Sequence, residues 1–147
     1  MLPKISILLS CLLLLSPLVS ASDAQNSIHI AIDGLRSDKG QVICSLYSSA
    51  DGFPKNYGKA IAHTSSLIAN RHANCEFSGI QPGTYAISVF HDANSNGKLD
   101  TNFLGIPREG VGASNNAKGH FGPPSFRAAS FGYAGGHVDL RIVITYL

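Results

Sequence analysis

The C-terminal stretch Val138-Asp139-Leu140-Arg141-Ile142-Val143-Ile144-Thr145 places an aliphatic residue at every second position and mostly polar residues between them. That period of two predicts a strand with one buried and one wet face. Similar alternation, or enrichment in β-branched and aromatic residues bounded by Gly, Pro, Asn or Asp, predicts strands near Ser27–Ile32, Gln41–Tyr47, Ile61–Ala69, Asn74–Phe77, Thr84–His91, Ser125–Phe131 and His137–Tyr146. No window carries a helical period. Strands this short with frequent turns imply an all-β chain, a single sandwich of about seven strands.

One segment departs from the rhythm. From Asp92 to Pro124 the chain holds six glycines and three prolines, with no recognisable strand. A connection this long in a small domain is either disordered or functional. Just before it, "GIQPGTY" (Gly79–Tyr85) sets a Pro-Gly turn ahead of a tyrosine. Tyr85 reads either as the tyrosine corner of an immunoglobulin-like sandwich or as a half-buried strand residue.

The N-terminus has a different character. Lys4 precedes an almost entirely apolar run from Ile5 to Val19, and Val19 and Ala21 are small enough for cleavage after Ala21. Residues 1–21 therefore read as a signal peptide and 22–147 as a single exported domain, periplasmic or secreted. Leu8-Leu9-Ser10-Cys11 offers a lipoprotein box as a minor alternative. Without Lys4, ten of the eleven basic residues remain against nine acidic ones, scattered singly. That pattern has no basic stripe for nucleic acid, and no second apolar segment is long enough to span a membrane. Cys44 and Cys75 are left as an even pair, which in an oxidising compartment predicts one disulfide. Cys44 shares a strand face with Val42 and Leu46, and Cys75 with Phe77, so both sulfurs should point inward.

The candidate chemistry lies at the start of the long segment. Asp92, Asn94 and Asn96 supply oxygens at alternate positions, Gly97 the bend, Lys98 a carbonyl, and Asp100 falls at the ninth position. This matches much of the template of a calcium loop. Phe103 stands where the template has a bidentate carboxylate, and Glu109 is the nearest acid that could fold back. Calcium held by Asp92, Asn94, Asn96, Lys98, Asp100 and Glu109 is one reading. A metal-free turn around Asn96-Gly97 is the other.

The run "HDANSNGKLDTNFLGIPREGVGASNNAKGHFGPPSFRAASF", with "PGTYAISVFHD" before it, resembles the bacterial exported family called domain of unknown function 2141. Its members pair a similar "HD-N-NGKLD" with "GIP-E--G-SN" and a final "P-F-A-F". The resemblance implies an exported β-sandwich, similar to prealbumin-like and carboxypeptidase-regulatory-like modules, and carries no established activity and no catalytic residues.

Two function classes follow. The first is a noncatalytic binding or structural module that presents the Asp92–Pro124 segment, with Phe103, Leu104, Ile106 and Phe121, to a glycan, peptide, lipid headgroup or protein of the envelope. The second is a small hydrolase-like enzyme using His91, Glu109 or His120 as acid or base. Neither Ser114 nor Ser125 has the strained turn a nucleophile needs. The six histidines form no short ligand pair, which leaves His91 and His120, at the two ends of the segment, as the pair to consider for a transition metal.

Overall fold

The computed structural model describes residues 26–147. The expected signal peptide, its cleavage near Ala21 and the alternative lipoprotein box lie outside the described residues. Eight strands are present: β1 (Ser27–Asp33), β2 (Gln41–Tyr47), β3 (Ala62–Leu67), β4 (Ala73–Ser78), β5 (Gly83–Asp92), β6 (Val111–Ala113), β7 (Phe131–Tyr133) and β8 (His137–Val143). They form a three-stranded sheet ordered β4-β1-β8 and a five-stranded sheet with the path β3-β2-β5-β6, where β7 also pairs with β5. All pairings are antiparallel except β1 with β8, which run parallel and in register from Ser27 opposite His137 to Asp33 opposite Val143.

The alternating aliphatic positions make the core. Ile28, Ile30, Ile32 and Ile142 from the smaller sheet meet Val42, Cys44, Leu46, Ile87 and Val89 from the larger one, all essentially without exposure. Each such side chain contributes roughly 1.5–3 kcal/mol on burial. Cys44 on β2 and Cys75 on β4 are joined as a disulfide with Cα atoms 6.6 Å apart, so the bridge ties the two sheets through the middle of the sandwich. Tyr85 forms the corner: its hydroxyl donates to the Gln81 carbonyl at 2.7 Å, across the turn that leads into β5.

β5 is buried on both faces. Tyr85, Ile87 and Val89 point into the sandwich, while Ala86 packs beneath Ala113 and Ala129, with Phe53, Ala117 and Phe126 around them. The latter half of the supposed loop is therefore a cover for the outer face of the central strand. Two sequence expectations are corrected here. Ser125–Phe131 is not a strand: the Ser125 hydroxyl caps the Ala128 amide at 3.2 Å and starts a single helical turn, α1 (Phe126–Ala129), before the short β7. A capping serine followed by two alanines outweighs a weak alternation. The Asp92–Pro124 segment does contain a strand, β6, whose Gly112 lies so close to Ile142 that a Cβ there would come within 2.7 Å of its Cγ2. Glycine permits that approach and at the same time lowers the local strand signal.

The bridge gives a direct test. Unfolded, unreduced protein should titrate no thiol from Cys44 or Cys75. Replacing both with alanine should lower unfolding stability by about 3 kcal/mol in denaturant melts, and two reactive thiols would remove the bridge.

Candidate functional site

The end of β5 sets the site, because Asp92 is the last residue of that strand and has no exposure. A buried carboxylate requires donors, and the next turn supplies them. The Asn96 amide donates to Asp92 Oδ1 at 3.0 Å, and the Gly97 amide to Oδ2 at 2.9 Å. Gln41, opposite Asp92 in the β2–β5 register, donates its side-chain amide to Oδ2 at 3.0 Å. Ser95 and Gly97 take positive φ values, +56° and +74°, to aim those amides inward. Gly40 packs against the same backbone so tightly that a Cβ would sit 2.0 Å from the Asp92 carbonyl oxygen.

Glu109 folds back onto this turn. It is largely buried, and its Oε1 accepts the Ala93 amide while its Oε2 accepts the Asp100 amide, each at 3.0 Å. One carboxylate thus clasps both ends of the turn, and the Arg108 amide adds a bond to the Asp100 carbonyl at 2.9 Å. Above the clasp, Asp100 accepts the side-chain amides of Asn94 at 2.7 Å and Asn96 at 3.0 Å. The oxygens of those two asparagines accept the backbone amides of Asn96 and Lys98. All six residues of the expected calcium loop are therefore brought together, in a network closed by N–H donors. Among the described residues, no three His, Cys, Asp or Glu side chains already surround a point that could hold a metal ion.

Beyond the clasp, Asn102 builds a second tight turn. Its Oδ1 accepts the amides of Leu104 at 2.9 Å and Ile106 at 3.0 Å, and Thr101 pairs with Pro107 at the base. The tip displays Phe103, 94% exposed, with Leu104 and Ile106 also in the open. Phe121, farther along, is fully exposed.

Of the three candidate acid–base residues, Glu109 is already engaged in the clasp. His91 is buried, with Nε2 against the Lys39 carbonyl and Nδ1 against the Tyr146 hydroxyl, both at 2.7 Å. A carbonyl only accepts, so Nε2 carries the proton, and the Tyr146 hydroxyl occupies the other nitrogen. Tyr146 in turn receives the Arg36 amide at 3.0 Å and lies under its guanidinium. His120 is exposed. Ser114 is buried, accepting the Ile87 amide at 2.9 Å and donating to the Ala129 carbonyl at 2.5 Å.

Sequence reading missed Gln41, Tyr57 and Tyr146. Gln41 meets Asp92 only through the β2–β5 register, which the sequence pattern does not fix. Tyr57 lies against Phe90 with ring centroids 5.3 Å apart, and burial, then Tyr47, then the Glu109 carboxylate raise its phenol well above the ordinary tyrosine range. Tyr146 lies three residues past β8 and reaches His91 only through the fold.

Glu109→Gln keeps the size of the side chain and turns a carboxamide NH2 toward a backbone N–H, donor against donor. It should cost about 2 kcal/mol of unfolding stability, the penalty of an unsatisfied buried donor. A change under about 0.5 kcal/mol in urea melts would show that the clasp does not hold the turn. No curated protein and no solved structure matches this chain. The profile of a bacterial family described as an uncharacterized protein conserved in bacteria (DUF2141) matches residues 30–141. Strands β2 to β7, most of β1 and β8, the Asp92–Asp100 turn and Glu109 fall inside that span, and the chain belongs to this family.

Proposed function

We propose that this protein is a noncatalytic binding module exported to the bacterial envelope, and that the turns after β5 are its contact surface. One observation carries the reading: a polar scaffold anchored by the buried carboxylates of Asp92 and Glu109 holds Phe103, Leu104 and Ile106 outward. Exposed apolar side chains on an ordered turn are what an interaction surface needs, because their ordering entropy is already spent before a partner arrives. The partner classes are a glycan, a peptide or a protein of the envelope. The buried disulfide supports an oxidising compartment. Among the described residues no helix is long and apolar enough to cross a membrane.

Calcium enters this reading as a weak stabiliser. The donors fit it in kind: the carboxylates of Asp92, Asp100 and Glu109, the amide oxygens of Asn94 and Asn96, and the Lys98 carbonyl are all hard oxygen ligands. The two asparagines now turn N–H groups toward Asp100, so binding requires their side chains to reverse. With that reorganisation to offset, the expected affinity is weak, about 10⁻⁴–10⁻³ M as in extracellular modules.

Two measurements check these claims. A photoreactive phenylalanine analogue at position 103, expressed in the living bacterium, should give one discrete cross-linked adduct. The same analogue at Leu67, an equally open apolar position on β3, should give none. Adducts at both positions or at neither would contradict the contact surface. Separately, millimolar calcium should raise the melting temperature above that in chelator for the native chain and not for Asp100→Asn, and an unchanged native melting temperature would exclude the ion.

A further inference from the structure

The outer face of the smaller sheet carries a second cluster, far in sequence from the loop. β1 and β8 run parallel and in register, which sets Ser27 beside His137 and His29 beside Asp139. Residues two apart on a strand share a face, so both imidazoles and the carboxylate point to the same side. Asp139 Oδ1 lies 3.0 Å from His29 Nδ1 and 3.3 Å from His137 Nε2. The two rings are stacked at 25°, with centroids 6.5 Å apart.

We propose that His29, His137 and Asp139 bind a divalent transition-metal ion of the zinc or copper type. Two imidazoles and a carboxylate are ligands such ions accept. Tetrahedral zinc with bonds of about 2.0–2.1 Å places neighbouring ligand atoms about 3.3 Å apart, close to the two separations seen here. The remaining nitrogen of His137, Nδ1, lies 2.8 Å from the hydroxyl of Ser27, a residue only 3% exposed. A fixed partner on the far ring nitrogen is how a ligating histidine is oriented. As they stand the three side chains do not surround a point that could hold an ion, so binding turns the His29 ring and the Asp139 carboxylate toward His137 Nε2, which the Ser27 contact holds in place, and solvent supplies the remaining position. The neighbouring cluster on the same face differs in kind. There Asp33 pairs with both Arg141 and His72, and the guanidinium already neutralises the carboxylate an ion would need.

Zinc chloride titrated calorimetrically into the purified protein, with millimolar calcium present to occupy any loop site, should bind at one ion per chain in the micromolar range. His29→Gln and His137→Gln should each weaken binding about tenfold or more, and His120→Gln should leave it unchanged. Far-UV circular dichroism of each variant should match the native spectrum, since the three side chains lie outside the core. Absence of zinc binding below millimolar concentration, or native affinity in both His29→Gln and His137→Gln, would overturn the site.

Discussion

The Glu109 carboxylate accepts the Ala93 amide at one oxygen and the Asp100 amide at the other, and the shape of everything between β5 and β6 depends on that pair. A chain leaving a central strand must satisfy its backbone donors or stay in water. Here two buried acids solve the problem from opposite ends: Asp92 from inside the turn, Glu109 from beyond it. With both amide ends fixed, the next turn is organised around Asn102, with Thr101 and Pro107 paired at its base. The chain then returns along β6, and the segment after it covers the outer face of β5. A region that composition marks as loose is thereby a second layer of packing.

Much of the sandwich was legible because its signal is local. Alternation and β-branched enrichment located β1 to β5 and β8 to within a few residues, and the cysteine pair followed from counting and the expected export. What escaped depends on distant partners. β6 exists because Gly112 nests against Ile142 and because β5 offers a free edge, neither of which a three-residue window shows. The stretch from Ser125 was misread because a single capped helical turn and a short strand contain the same few apolar residues. The parallel pairing of β1 with β8, which creates the His29–Asp139–His137 face, joins residues about 110 positions apart.

The site followed the same division. Spacing alone grouped Asp92, Asn94, Asn96 and Asp100, and the nearest downstream acid proved to be the one that folds back. Spacing could not reveal that the lone pairs of these groups are met by amide protons. Nor could it show that His91 is held between the Lys39 carbonyl and Tyr146, since Tyr146 enters from the far end of the chain. An ordered apolar tip stands on a polar base, and of the residues that first suggested hydrolysis only Glu109 is part of that base, while His120 is exposed.

The clasp closes the turn on the backbone amides of Ala93 and Asp100. Amide hydrogen exchange at these two positions, followed by NMR in excess chelator, reads whether the carboxylate alone holds it. Both amides should exchange far more slowly than unstructured peptide and should lose this protection together in Glu109→Gln. Free exchange of both in chelator, with protection appearing only when calcium is added, would contradict a metal-free clasp.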